Sequence, residues 1–196
     1  MAVWALQQLG IPVSYSVGTT LSFGPSGTYI PDSEYFVYEC DEYDRNMLHF
    51  KPYLSLLTSI DYDHPDTYPT EESYKEAFRQ YTDRSVQPIG WANDLEYISQ
   101  PIGESVWALH PNEVAPVELT GEHNRRNATL VLKGLEFLGI GNEEENRAVL
   151  SRFPGTDRRF EKLAENIYTD YGHHPEEIAA TLQLARELSS KVVLVY

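Results

Sequence analysis

The chain has 196 residues and a mass of 22.4 kDa, which is enough for one complete hydrophobic core and part of a second. Its formal net charge of -15, from 30 acidic and 15 basic residues, repels phosphate backbones and anionic lipid, and so disfavours nucleic-acid and membrane-surface partners. Its single cysteine, Cys40, cannot form an internal disulfide, and the sequence contains no signal peptide or apolar stretch of membrane-spanning length, so we expect a soluble cytoplasmic protein.

The first part of the chain predicts a helix followed by strands. Apolar residues at every third position predict a helix that ends at Gly10. Residues 13–17 are typical of a strand, and residues 35–38 and 54–58 are short apolar runs of the kind that a buried parallel sheet uses. The last two runs each lead directly into a polar cluster.

The middle of the chain predicts helices on either side of a broken extended region. Thr70 can cap a helix whose apolar side chains fall on one face. Residues 86–119 are interrupted by prolines and glycines, which suggests short strands that add an antiparallel edge to the sheet. A second long helix is predicted over about residues 124–138, and a short one over residues 143–150.

A proline and a glycine after the short helix predict a domain boundary near Pro154. Beyond it, an extended run that ends at Thr169, a helix over residues 175–189 and a strand over residues 191–196 make one βαβ unit. The predicted fold is therefore α/β, with a mostly parallel sheet flanked by helices over residues 1–153. A partial second α/β domain follows over residues 154–196.

Four polar clusters follow the predicted strands, at residues 39–42, 61–66, 122–127 and 170–175. Strand ends are where α/β proteins build their sites. Carboxylates with a histidine suit a metal ion, side-chain amides suit a nucleobase, and arginines suit phosphate, so the clusters together suggest a nucleotide enzyme. No Gly-x-x-x-x-Gly-Lys-Ser/Thr phosphate loop occurs in the sequence.

The two acidic clusters can each be interpreted in more than one way. The aspartates around His64 could supply the one or two protein ligands that Mg²⁺ takes in phosphoryl-transfer sites, or they could form a solvated turn that caps the helix after Thr70. A binuclear hydrolase site is a third alternative, but the remaining histidines lack the spacing to complete one. Glu39 directly follows a strand and is expected to point into a site, with residues 41–44 as a solvated, capping face.

The later clusters can also be interpreted as structural features without a functional role. Asn124 and Asn127 share a helix face and could bind the edge of an adenine ring, or they could cap the helix in a solvated basic turn. The pair at residues 158–159 could bind phosphate or lie in a solvated linker. His173 and His174 are poorly spaced for a zinc pair, and a helix-start turn with Asp170 and Tyr171 facing the site is the simpler interpretation.

Five segments in order resemble the Mur ligase family. They contain the sequences Glu-Cys-Asp-Glu-Tyr-Asp, Asp-His-Pro-Asp-Thr-Tyr, Gly-Glu-His-Asn-Arg-Arg-Asn-Ala, Gly-Thr-Asp-Arg-Arg-Phe and Asp-Tyr-Gly-His-His-Pro, and they extend from residue 39 to residue 175. The resemblance implies a domain for a UDP-sugar, a central ATPase domain and a C-terminal Rossmann-like domain. Residues 1–153 would be the central domain without its phosphate loop, and residues 154–196 would begin the Rossmann-like domain.

The resemblance also implies a role for particular side chains. Glu39 and His64 would bind Mg²⁺ and, with Tyr171 near the incoming amino acid, would serve catalysis. The residues that would bind ATP are His123, Asn124, Asn127, Arg158, Arg159 and Asp170. The family usually has an aspartate where this chain has Thr169, which leaves a two-carboxylate role at that point open. The roles of His173 and His174 also stay open.

The activity implied by the resemblance is an ATP-dependent ligation that adds L-alanine to UDP-N-acetylmuramate through an acyl phosphate. The implied partners are these small molecules and ATP, with Mg²⁺ as cofactor, and the chain without a phosphate loop is expected to be inactive by itself. A ligase that recycles murein peptides is an alternative. A non-catalytic, ligase-derived binding fragment that associates through exposed sheet edges is another.

Overall fold

The computed structural model describes residues 1–103 and 105–196. It contains two compact units, which are described separately. Unit 1 comprises residues 1–39, 115–128 and 141–196, and unit 2 comprises residues 40–114 and 129–140. The domain boundary near Pro154 stays a prediction.

Unit 1 contains a three-stranded sheet near the start of the chain. Strand β1 (Val13–Ser16) lies in the middle, antiparallel to β2 (Gly27–Thr28) and parallel to β3 (Tyr35–Tyr38). The register pairs Val13 with Tyr35. Because β1 and β3 run in the same direction, the loops that follow them leave the same edge of the sheet.

Two helices from distant parts of the sequence pack against each other in unit 1, and the first of them also contacts β1. Helix α1 (Ala2–Gln8) packs against a later helix, which spans Glu143–Ser151 and is named α5 below. The indole Nε1–H of Trp4 donates a hydrogen bond to the carbonyl oxygen of Val149 over 3.0 Å. The ring of Phe153 lies edge-on to the Trp4 ring, with centroids 6.4 Å apart. Unit 1 thus joins segments that are almost 150 residues apart in sequence.

Unit 2 contains a parallel three-stranded sheet in the order β4 (Leu54–Leu57), β5 (Gln87–Trp91) and β6 (Trp107–Leu109). The prediction of an antiparallel edge within residues 86–119 is therefore wrong. The short helix α3 (Ala92–Tyr97) lies between β5 and β6 and returns the chain to the starting edge, which makes the two strands parallel.

Helix α2 (Glu71–Arg84) of unit 2 begins as the sequence predicted. The Thr70 Oγ1 accepts from the Ser73 N–H over 3.1 Å, and the Thr70 N–H donates to the Ser73 Oγ over 3.3 Å. These reciprocal bonds satisfy backbone groups that the first helical turn leaves free. The apolar face of α2 buries Tyr74 and Phe78 in a core whose other buried members include Met47, Leu57, Ile60, Tyr68, Leu95 and Ile98.

Helix α4 (Glu122–Phe137) confirms the second long predicted helix, and it begins two residues earlier than expected. Its Leu130 is fully buried in a cluster with Ile89, Trp91 and Leu109. At Gly134 a Cβ atom would lie 3.1 Å from the Leu54 side chain, so the absence of a side chain brings the helix close to β4. Helix α5 (Glu143–Ser151) likewise confirms the predicted short helix.

The last part of unit 1 holds a hairpin and a helix. Strand β7 (Glu161–Ala164) pairs antiparallel with β8 (Ile167–Thr169), and helix α6 (Pro175–Leu188) follows with Leu184 buried. The predicted strand over residues 191–196 is wrong, because these residues form no strand in the described part of the chain. An apolar, β-branched run needs a neighbouring strand to complete its hydrogen bonds.

None of the helices formed by residues 1–103 and 105–196 has the length and apolar character needed to cross a membrane.

Candidate functional site

Glu39 lies just after β3, at the edge of the unit 1 sheet. Its backbone N–H donates to the Ser16 carbonyl over 3.0 Å, which continues the pairing of β3 with β1. Its Oε2 accepts from the Gly18 N–H over 3.0 Å. The carboxylate is therefore held against the loop that follows β1, while the residue stays exposed to solvent and accessible to a hydrated cation.

His64 lies in unit 2 with two carboxylates beside its ring. Its Nε2 is 3.3 Å from the Glu42 Oε1 and 3.8 Å from the Asp63 Oδ2. An ionised carboxylate accepts hydrogen bonds and cannot donate them, so this contact favours a proton on Nε2, the ring nitrogen that faces Glu42. The edge of the Tyr43 ring packs on the imidazole, with centroids 5.1 Å apart.

The backbone around His64 is strained. His64 has φ of +54°, and Asp44 and Arg45 have φ of +50° and +58°. Residues that carry a Cβ rarely adopt such angles. Each residue held in this conformation by its surroundings costs on the order of 1–3 kcal/mol. Strain of this kind clusters at functional sites, which supports a role for the loop that contains Asp44 and Arg45 and the loop that contains His64.

The main chain of Glu42 is fixed by a buried tyrosine. The Tyr68 hydroxyl donates to the Glu42 carbonyl over 2.6 Å, and the Arg45 guanidinium lies 5.3 Å from the centre of the Tyr68 ring. Burial raises the pKa of Tyr68 to about 12, so the hydroxyl stays a donor at neutral pH. Glu42, which the sequence suggested as part of a solvated face, is thus the carboxylate that lies against His64.

Asp61 and Asp63, in the loop that contains His64, mainly stabilise the turn through hydrogen bonds to its backbone. The Tyr62 N–H donates to Asp61 over 3.0 Å, and the His64 N–H donates to Asp63 over 2.7 Å. The cap of α2 comes from Thr70, so the alternative in which these aspartates cap the helix is not what the structure shows.

Glu39 lies in unit 1 and His64 in unit 2, and the carboxylate oxygens of Glu39 are of the kind that Mg²⁺ prefers. In the described residues, no three His, Cys, Asp or Glu side chains converge closely enough to hold a metal ion. Mg²⁺ needs only one or two protein ligands when water and phosphate oxygens supply the rest. The exposed carboxylate of Glu39 meets that requirement.

The predicted adenine-binding residues lie at the start of α4, in unit 1. The Asn124 side-chain amide donates to the Thr120 carbonyl over 2.9 Å, and Asn127 is half-buried one turn later. The His123 Nδ1 is buried and has no hydrogen-bond partner among the described residues. Burial lowers the pKa of His123, so its ring is neutral at pH 7 and Nδ1 is either a donor or an acceptor awaiting a partner.

Asp170 is brought towards this helix start. Its Oδ2 accepts from the Phe160 N–H over 2.8 Å, and its Oδ1 accepts from the Gly172 N–H over 2.7 Å. Its negative charge acts on His123 and partly offsets the lowering of the histidine pKa by burial. The structure therefore places Asp170 and His123 within electrostatic range of each other in unit 1.

The two adjacent arginines have different surroundings. The Arg158 guanidinium lies 4.2 Å from the centre of the Tyr171 ring, and the Tyr171 N–H donates to the Arg158 carbonyl over 2.9 Å. Arg159 instead pairs with Glu177 at the start of α6, over 3.2 Å. Arg158 and Tyr171 thus form one contact pair, and Arg159 is a half-exposed cation beside it.

His173 and His174 belong to the start of α6. Their backbone N–H groups donate to the Glu177 Oε2 over 3.1 Å and 3.4 Å. His174 is the N-cap residue of the helix. This arrangement agrees with a helix-start turn and gives no support to a zinc pair.

The comparisons with known proteins find relatives with one recurring activity. No model of a protein family matches the chain. A UDP-N-acetylmuramate–L-alanine ligase from Levilactobacillus brevis is 33% identical over 90% of this chain and 46% of the relative. One of the same name from Syntrophomonas wolfei is 28% identical over 100% of this chain and 51% of the relative. The chain spans about half the length of the curated relatives it matches.

Solved structures share the fold. A UDP-N-acetylmuramate-alanine ligase from Thermotoga maritima superposes with a TM-score of 0.79 at 21% identity, over 97% of this chain and 51% of that one. A murein peptide ligase from Psychrobacter arcticus superposes with a TM-score of 0.63 at 21% identity, over 95% of this chain and 51% of that one. The predicted α/β fold class is thereby confirmed.

Proposed function

Because this chain is related to the Mur ligases through nearly its whole length, we propose that it is part of an ATP-dependent ligase that joins L-alanine to UDP-N-acetylmuramate. The observation that carries the proposal is the shared name of the curated relatives, which align with almost all of the chain. The chain spans about half of each relative, so the activity is assigned to the whole protein. Its place would be the cytoplasmic synthesis of cell-wall precursors.

Residues 1–153 would form the central ATPase domain, and residues 154–196 would begin the C-terminal domain. At the start of α4, Asn124 and Asn127 would hold the adenine edge through their amides, with the buried Nδ1 of His123 beside them. A neutral histidine suits this position because a nucleobase edge offers uncharged donors and acceptors.

Glu39 and His64 would bind Mg²⁺, which neutralises charge on the phosphates and on the acyl phosphate when it is bound. Glu42 would keep the His64 ring in one orientation through the contact to Nε2. Glu39 is already held in place by the Gly18 N–H. Pre-positioned groups of this kind lower the reorganisation that the reaction requires.

Arg158 or Arg159 would bind phosphate oxygens, and Asp170 would hold the nucleotide from the side of His123. Tyr171 would lie near the attacking amine of alanine. The stacking of Arg158 on Tyr171 supports these two roles, because it holds the cation that would bind phosphate next to the ring that would lie near the amino acid.

The test uses the protein at its full natural length and measures phosphate release that depends on both UDP-N-acetylmuramate and L-alanine. Glu39→Gln and His64→Ala should each lower kcat on the order of 100-fold, because each removes a group that stabilises developing charge. Glu34→Gln, at the opposite end of the same strand and exposed, is the matched control and should keep wild-type activity.

Two results would contradict the proposal. One is wild-type protein that releases no phosphate with these substrates but does so with a murein tripeptide, which would favour the recycling activity. The other is full activity in Glu39→Gln, which would mean that the Glu39 carboxylate is not needed as a metal ligand.

A further inference from the structure

Two side chains of α6 satisfy backbone donors at the start of α4. The Glu187 Oε2 accepts from the Gly121 N–H over 2.9 Å, and the Gln183 Oε1 accepts from the Glu122 N–H over 3.0 Å. The first N–H groups of a helix have no partner within the helix and are usually capped by the preceding side chain. Here the acceptors for the Gly121 and Glu122 N–H groups lie 66 and 61 residues further along the chain.

Arg125 fixes the capping carboxylate in a bidentate pair. Its Nη2 lies 2.7 Å from the Glu187 Oε1, and its Nη1 lies 3.0 Å from the Glu187 Oε2. The same Nη1 donates to the Leu119 carbonyl over 2.9 Å, so the guanidinium ties the carboxylate to the chain that enters the helix. A carboxylate at a helix N-terminus is also favoured by the helix dipole.

The packing next to the cap is close. Leu184 is 3% exposed, and a Cβ atom on Gly121 would lie 2.8 Å from its Cδ1 and 3.0 Å from the Cε1 of His123. The peptide that Glu187 caps is therefore in contact range of the His123 ring. A displacement of this peptide would displace His123 and Asn124 with it.

We propose that Glu187 is a positioning residue for the nucleotide site. It caps α4 from α6 and thereby holds His123 and Asn124 in one orientation. Arg125 is the anchor of this cap and not a ligand of phosphate. The inference rests on the proposed function in that it takes the start of α4 to bind the adenine. The very low pKa of Glu187, about 2 because Arg125 and Gly121 donate to it, keeps the carboxylate ionised at every physiological pH.

The test combines amide hydrogen exchange with ATP kinetics on the protein at its full natural length. Glu187→Ala should speed exchange at the Gly121 amide about tenfold and should raise the KM for ATP by a similar factor, the size expected for one lost helix cap. The kcat at saturating ATP should change much less. Glu187→Gln should fall between wild type and Glu187→Ala, because an amide oxygen still accepts from Gly121 but loses the charge pair.

Glu176→Ala is the matched control, since it removes the same charge from an exposed position on α6. Equal exchange at the Gly121 amide in Glu187→Ala and Glu176→Ala would overturn the cap. Faster exchange with an unchanged KM for ATP in Glu187→Gln would overturn the positioning role, and this variant decides the question even where the alanine variant fails to fold. Wild-type activity that does not depend on ATP would instead contradict the proposed function. The hydrogen-exchange data would still test the cap in that case.

Discussion

Replacement of Gly121 by alanine tests the contact between α4 and α6 most directly. Gly121 has φ of +88°, and an added Cβ would lie 2.8 Å from the Cδ1 and 3.0 Å from the Cγ of buried Leu184. The left-handed backbone should cost about 1–2 kcal/mol with a Cβ present. Overpacking against a buried side chain should add about 1–3 kcal/mol. We expect Gly121→Ala to lower the free energy of unfolding by about 2–5 kcal/mol in total.

Gly155→Ala is the matched control in the same unit. Gly155 has φ of +87°, and no described atom lies within 4 Å of the position that its Cβ would take. This variant should carry the backbone cost of about 1–2 kcal/mol alone. Both variants remove one glycine from the unfolded chain, so that entropic gain of about 0.4–1 kcal/mol cancels when they are compared.

The assay is urea denaturation followed by circular dichroism, with the midpoint and slope compared between the two variants. The difference between them should be about 1–3 kcal/mol, which is the packing cost by itself. Equal destabilisation by the two alanines would refute the reasoning, because it would mean that Leu184 does not lie against Gly121.

Three further predictions concern a hydrogen bond, a pH dependence and a thiol. Tyr68→Phe removes the 2.6 Å bond to the Glu42 carbonyl and should lower the free energy of unfolding by about 1 kcal/mol in urea; an unchanged midpoint would deny that bond. The pKa of Glu187 is lowered from 4.5 to about 2, so its stabilising pair with Arg125 should be complete above about pH 4.5 and lost as the pH falls towards 2. Acid titration of stability should therefore show an extra loss of about 1 kcal/mol in wild type over Glu187→Gln, and parallel curves would contradict it. Burial raises the pKa of Cys40 from 9 to about 11, so iodoacetamide should alkylate it roughly 100-fold more slowly in the folded protein than in urea, and equal rates would contradict the burial.

Local signals predicted the long helices well. Thr70 and an apolar face define α2, and the apolar spacing after residue 124 defines α4. The parallel pairing of β5 with β6 was missed because α3 has only six residues, too few to show helical periodicity among the prolines and glycines of residues 86–119. Strand direction depends on how the connection runs in space, which local composition does not record.

The site was predicted as a set of segments, and its contacts were not. The motifs select Glu39, His64 and Asp170, but the position of Glu42 against the His64 ring depends on two loops that meet in space. Glu187 lies in a sequence that is typical of an exposed helix face. Its contact with Gly121 joins positions 66 residues apart and has no local signature.

The hydrogen bond from Trp4 to Val149 has a consequence for the order in which the nascent protein matures on the ribosome. Unit 1 contains residues 1–39 and residues 141–196, so α1 cannot pack against α5 until translation has passed residue 149. All the residues of unit 2 have been translated by position 140, before α5 of unit 1 is complete. Contacts between segments so far apart in sequence form slowly, which makes the packing of α1 against α5 a late step in the folding of unit 1.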